Sequence, residues 1–163
     1  MILLSDANIL IDLGYVNGLE VLTKIGATEV LDVVLDECED ERQPNLVRDV
    51  LDTGVTRIET RMSWMREARR YRRADLSSND SLNLYYAKTF KRILLAGDKP
   101  LRERCSKEGV TVHGSLWIVR QAAEQNLITR QELCFWLNKW PQIGRRLPAK
   151  EIAELKIILG CDS

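Results

Sequence analysis

Two apolar runs in this 163-residue chain end in the same way. Ile2-Leu-Leu-Ser leads to Asp6, and Ile93-Leu-Leu-Ala-Gly leads to Asp98. Both runs are continuously apolar without helical spacing, as a strand buried on both faces requires. In a parallel sheet all strand carboxyl ends lie on one edge, where α/β proteins bind ligands, so Asp6 and Asp98 are expected to face one crevice. Asp80 opens the helix leading into the second run, and a helix antiparallel to its strand begins at that same edge. Glu37 stands near the start of the helix expected after the second strand, again on that side. Taken singly, each acid has an ordinary role. Asp6 and Asp98 can cap the helices that follow them, Asp80 can complete a Ser77-x-x-Asp box, and Glu37 can be plain surface. Taken together, they are four like charges with only Lys99 close in sequence to balance them. Carboxylates so gathered raise one another's pKa or require a cation. Oxygen-only donors suit magnesium or manganese rather than zinc. The carboxylates of Asp6, Asp80 and Asp98 are therefore expected within one metal ion's reach, with Glu37 adjoining.

The elements that must position these residues alternate. After the first strand, helix is expected over 8–13 and 19–25, broken at Asn17-Gly18. A second strand covers 28–33, and the acidic run Asp36 to Glu41 opens a further helix, its charges suited to a helix N-terminus. Another helix spans 44–51, and a short edge strand spans 55–59. The segment 61–73 reads as a basic helix in which Arg66, Arg69, Arg70, Arg72 and Arg73 are interleaved with Trp64, Met65 and Tyr71. The helix opened by Asp80, with Leu82, Tyr85, Tyr86 and Phe90 as candidate buried positions, leads to the strand at 92–96. A helix to about residue 107, a strand at 110–112 and a helix over 116–125 follow. Thr129-x-x-Glu132 is a capping box ahead of a helix over 133–140, and a last helix spans 151–159. Strands alternating with helices argue for an α/β/α sandwich around a parallel sheet.

Composition narrows the function classes. The length suits one domain. Lysine and arginine together number 24, as do aspartate and glutamate, so nucleic-acid binding needs a local basic patch rather than a global field. The four cysteines form no CxxC pair and the chain has one histidine, which argues against structural zinc. Scattered thiols without a secretory leader read as reduced and cytoplasmic. No stretch approaches the roughly 18 apolar residues of a membrane span.

The order of the acidic motifs is similar to that of a known family. Asp6-Ala-Asn8, Val34-x-x-Glu37, Leu76-Ser-Ser-Asn-Asp80 with Ala87, and Leu94-Leu-Ala-Gly-Asp98-Lys-Pro-Leu101-Arg resemble the PIN domain. The run Glu108-Gly-Val-Thr-Val-His-Gly-Ser-Leu-Trp117, followed by Leu127-Ile-Thr, looks like the version found in VapC-type toxins and their relatives. The resemblance covers residues 1–128 as a nuclease domain, with 129–163 as a helical extension packed on it. It implies a ribonuclease that holds magnesium or manganese on Asp6, Glu37, Asp80 and Asp98, with Asn8 supporting Asp6. It also implies RNA as substrate, and it brings a cognate antitoxin and a homodimer into view as partners. The family commonly has threonine or serine between the aspartate and asparagine; Ala7 removes that hydroxyl. Glu37 is taken from the Asp36 to Glu41 run by spacing.

Two other readings share the fold. One is a binding module with a weak metal site, working through its arginines or a protein partner. The other is a phosphoacceptor receiver, disfavoured because Asp6 has no immediate acidic neighbour. The arginines of 61–73 could track a phosphate backbone while Trp64 or Tyr71 stacks a base, or form a solvated face. Trp117, Trp136 and Trp140 are expected in the core or an interface, and His113 in a local hydrogen bond at a turn.

Overall fold

The computed structural model describes residues 1–39 and 42–162; Asp40 and Glu41, the end of the acidic run, lie outside the described residues, as does Ser163. In chain order the elements are β1 (Ile2–Ser5), α1 (Ala7–Tyr15), α2 (Val21–Ile25), β2 (Ala27–Leu31), α3 (Asp32–Glu37), α4 (Leu46–Asp52), β3 (Thr56–Ile58), α5 (Met62–Ala68), α6 (Ser78–Phe90), β4 (Ile93–Leu95), α7 (Lys99–Lys107), β5 (Val112–His113), α8 (Ser115–Glu124), α9 (Arg130–Gln142) and α10 (Ala149–Leu159).

The strands form one sheet in the order β3-β2-β1-β4-β5, and every pairing is parallel. Helices cover both faces, which makes a three-layer α/β/α sandwich. Leu3, Leu4, Val30, Leu31, Leu94 and Leu95, from the three central strands, have no exposed surface. That explains their continuous apolar character, since a central parallel strand has no solvent face. The order reverses at β1: β2 and β3 lie to one side, β4 and β5 to the other. The crevice of such a sheet opens at that reversal, outside the carboxyl ends of β1 and β4.

The C-terminal helices belong to the same core. Leu133, Trp136, Leu137 and Trp140 of α9 are fully buried, and Ile152, Leu155 and Leu159 of α10 nearly so. Trp140 donates its indole N–H to the Asp12 carbonyl at 2.8 Å. Gly18 is needed beneath Trp136, because a Cβ there would stand 2.7 Å from the indole ring. Trp136 and Trp140 are thus core, as expected.

Several boundaries differ from the sequence reading. α3 begins at Asp32, because the Asp32 carboxylate accepts the Val33 N–H at 2.8 Å and both the N–H and the hydroxyl of Thr60. These bonds end the strand at Leu31, so Glu37 lies in the last turn of α3 rather than the first turn of a later helix. In the basic segment α5 stops at Ala68; residues 69–71 make one 3-10 turn and Arg72 is extended. Val110 bonds back to the Cys105 carbonyl in the turn closing α7, so the last strand starts at Val112. Phe90 is 38% exposed, while Leu84 takes a fully buried position on α6.

The expectation of four reduced thiols is corrected. Cys134 of α9 and Cys161, just past α10, form a disulfide, and only Cys38 and Cys105 are free, both buried. The two helices pack as neighbours, and Gly160, left-handed at φ +69, turns the chain back so that the Cα atoms stand 5.7 Å apart. Linear spacing carries none of that geometry. Among the described residues no helix is long and apolar enough to cross a membrane.

Candidate active site

The four acids reach one edge by four different routes. Asp6 follows β1 and is tied to the neighbouring strand by its own N–H, which donates to the Leu95 carbonyl at 2.9 Å. Asp98 lies three residues beyond the end of β4. Asp80 stands in the first turn of α6, whose far end feeds β4, and Glu37 closes α3 after β2. Burial grades across the set: Asp6 is 5% exposed, Asp80 and Asp98 are half-buried, and Glu37 is exposed.

Three of the acids also cap helices. Asp6 accepts the Ile9 N–H at 2.9 Å and Asp98 accepts the Leu101 N–H at 3.1 Å. Asp80 and Ser77 form a reciprocal capping box, each side chain accepting the other's backbone N–H at 3.1 Å. Capping and a further role are compatible, because each bond engages one carboxylate oxygen and leaves the second. Glu37 is held instead by Asn79, whose side-chain N–H₂ donates to it and, at 3.2 Å, to the Val33 carbonyl. Asn79 was not singled out from sequence, although it precedes Asp80 in the motif.

The electrostatics show that the acids sense one another. Burial pushes Asp6 up to about 7, against the Ile9 N–H bond that lowers it, and the charges of Asp80, Asp12 and Glu37 raise it further. Asp80 is raised, first by burial and, among the neighbouring charges, by Asp98, against its bonds to Ser77. Among the described residues no lysine or arginine comes within ion-pair distance of Asp6, Glu37, Asp80 or Asp98. Lys99 turns away to Glu103. Cys38 and Cys105 lie close enough to feel Asp6, Glu37 and Asp80. Burial chiefly pushes both thiols up to about 12, so they are not nucleophiles.

The expected tight convergence is corrected. Among the described residues no three of histidine, cysteine, aspartate and glutamate stand close enough to hold a metal ion. The cap bonds draw each carboxylate toward its own helix. In donor type the set still fits a hard divalent cation: oxygen donors only, one crevice, and negative charge with no paired cation.

Asn8 does not support Asp6. It is exposed and accepts from Arg145 at 3.3 Å. Arg145 also pairs with Asp12, whose other oxygen accepts from the Ser115 hydroxyl at 2.8 Å. Sequence reasoning passed over Asp12, Ser115 and Arg145, which lie up to 133 residues apart. The only local signal was Asp12 inside an otherwise apolar helical run.

The five arginines named from sequence are all exposed, and among the described residues none forms an ion pair. Arg69 and Arg72 line a cleft with Val33, Met65 and Asn79, next to Glu37. Arg66, Arg70 and Arg73 do not line it, and Arg70 lies over Tyr71. Of the two expected base platforms, Tyr71 is closed off by burial and Trp64 is partly buried. Tyr71 is 4% exposed, and Trp64 packs edge-on against Tyr86 and Phe90. His113 lies in β5 and stacks on Trp117 at 4.3 Å, rather than bonding at a turn.

The strand order, the carboxyl-edge acids and the α/β/α layers define an acidic-crevice α/β protein. The chain belongs to the PIN domain family, whose model it matches over residues 2–159. Two solved structures share the fold. One is a PilT N-terminus domain protein from the hyperthermophilic archaeon Sulfolobus solfataricus P2, with TM-score 0.54 and 15% identity, covering 76% of this chain and 92% of that one. The other is PAE2754 from Pyrobaculum aerophilum, with TM-score 0.56 and 16% identity, covering 74% and 89%. No curated protein matches the sequence.

Proposed function

We propose that the protein is a divalent-metal-dependent endoribonuclease. The observation that carries this reading is the gathering of four carboxylates from four elements at the point where the strand order reverses, with no cation among the described residues paired to them. Asp6, Asp80 and Asp98 would hold magnesium or manganese, with Glu37 alongside. When bound, the ion supplies acidification of the attacking water and neutralisation of charge on the non-bridging phosphate oxygens. The chain's own contribution is to fix the carboxylates. The Ile9, Ser77 and Leu101 N–H groups each hold one carboxylate oxygen and leave the other free to turn toward the crevice. Asn79 holds Glu37, and Arg69 and Arg72 meet the flanking phosphates.

Cleavage of a mixed RNA substrate should require added manganese, stop with chelator, and be lost in Asp98→Asn while RNA binding persists. Replacing Arg69 and Arg72 with alanine should flatten the dependence of log affinity on log salt by roughly 1 to 1.5 units. Metal-independent cleavage, or cleavage that survives Asp98→Asn, would sink the reading. The reading as a binding module gains if the arginine variant keeps its salt slope but loses a protein partner. An antitoxin and a homodimer belong to the same proposal, and co-purification and sedimentation test them.

A further inference from the structure

On the opposite flank of the acidic crevice from Arg69 and Arg72 lies a second cleft, of about 490 Å³ with its open mouth. It sits at the carboxyl ends of β4 and β5, and Gly97 in its wall is the residue before Asp98. Two arginines from distant segments meet there, Arg102 of α7 and Arg146 of the α9–α10 connection. Both are exposed, and among the described residues neither forms an ion pair.

The remaining walls differ in kind. A Cβ on Gly114 would lie 3.9 Å from Arg102 Nη1, so the guanidinium rests over bare backbone at the start of α8. His113 and Trp117 stack face to face, interplanar angle 3°, which leaves the outer ring faces to meet a ligand. Burial, and then the Arg102 charge, lower the pKa of His113, so near neutrality this ring is an uncharged surface. The helices starting at Ser115 and Ala149 have no side-chain cap, which adds partial positive charge to the same walls. Glu151 is the one carboxylate among the lining residues.

We propose that this cleft is a nucleotide subsite: Arg102 and Arg146 take a phosphate ester, and its base lies against the His113–Trp117 pair. The proposal rests on the nuclease reading, and it assigns the cleft to a nucleotide next to the one cut at Asp98. Phosphate wants fixed bidentate donors, and a base wants an aromatic face. The arginine cleft beside Glu37 has the first feature without an exposed aromatic, so base preference would be set on this side.

The test uses the protein's single histidine, whose imidazole protons report on the cleft alone in a proton NMR spectrum. Metal-free wild type and Arg102→Gln/Arg146→Gln are each titrated with adenosine 5′-monophosphate and, separately, with inorganic phosphate. The nucleotide should move the His113 signal saturably, phosphate should bind more weakly, and the double variant should weaken nucleotide binding at least about tenfold. Should the double variant fail to fold, Arg146→Gln alone at its exposed position gives the same comparison. A signal that the nucleotide leaves unmoved, affinity unchanged in the variants, or phosphate binding as tightly as nucleotide overturns the proposal. Cleavage kinetics make a second arm, in which the variant should raise KM with kcat retained; kcat lost with KM unchanged also overturns it. The NMR arm needs neither metal nor turnover, so failure to cleave RNA counts against the nuclease reading and is distinct from failure of the cleft to bind a nucleotide.

Discussion

Asp6 caps the first helix, Asp12 lies within it, and both are 5% exposed. Burial is the largest influence on each and raises both. Their surroundings then part. Asp12 is met by Arg145 and by the Ser115 hydroxyl, which oppose the effect of burial, and its backbone carbonyl anchors Trp140. Asp6 has a single N–H bond and three negative neighbours. Two aspartates of equal burial on one helix thus do different work. The paired one fastens the C-terminal tail to the sheet domain, and the unpaired one is the carboxylate to which the proposed reading assigns a cation. Burial alone therefore does not tell the two apart; the difference lies in whether the fold supplies a counter-charge.

The largest expected difference is in turnover. Asp6→Asn should lose more than the roughly 10–100-fold that removal of a supporting residue costs a metal site, with its fold intact because asparagine caps as well as aspartate. Asp12→Asn should keep cleavage per folded molecule. Parallel cleavage assays and thermal melts of the two variants check this, and equal loss of activity would break the comparison.

Stability against pH should separate the same pair. The folded pKa of Asp6, about 7, lies above its ordinary value of 3.8. Between those values the folded state holds a proton that the unfolded state releases. Stability is therefore fully present below about pH 4 and falls as pH rises through about 7, by up to roughly 4 kcal/mol. Metal-free Asp6→Asn should be more stable than wild type at pH 8 and nearly equal to it at pH 4, as read by urea unfolding. A variant destabilised at pH 8 would mark Asp6 as a cap and little more.

Removing the counter-charge tests the other half. Arg145→Met leaves Asp12 buried and unpaired, and should cost about 3 kcal/mol, the low end for breaking a buried pair, since the Arg145 side chain is 21% exposed. Adding Asp12→Asn to that variant should recover part of the loss. Additive losses in the double variant would show that the pair is not coupled.

The smallest effect is ligand linkage. Manganese at ten times its pH 8 Kd should stabilise wild type by about 1.4 kcal/mol at pH 8, and the same concentration should do less at pH 6 because Asp6 must lose its proton to bind. Asp6→Asn should lose most of that gain, and calorimetric melts with and without the ion would measure it.

The sequence by itself determined the alternation of elements, the buried parallel strands and the edge to which Asp6, Asp80 and Asp98 come. Continuous apolar runs such as Leu3-Leu4 and Leu94-Leu95 mark strands without a solvent face, and in a parallel sheet their carboxyl ends share an edge. The capping roles of the same acids were legible too, since Ser77-x-x-Asp80 is read within one helical turn. What only the tertiary structure decided involves partners distant in the chain. Asp12 with Ser115 and Arg145, Asn79 with Glu37, Cys134 with Cys161, and Arg102 with Arg146 meet through helix packing that leaves no periodicity in the sequence. Local competition decided the remaining differences: the Asp32 carboxylate, bonded to Val33 and to Thr60, started α3 early and moved Glu37 to its end. Patterns of burial and capping are written in short stretches, whereas a counter-charge is supplied by whichever segment the fold brings near.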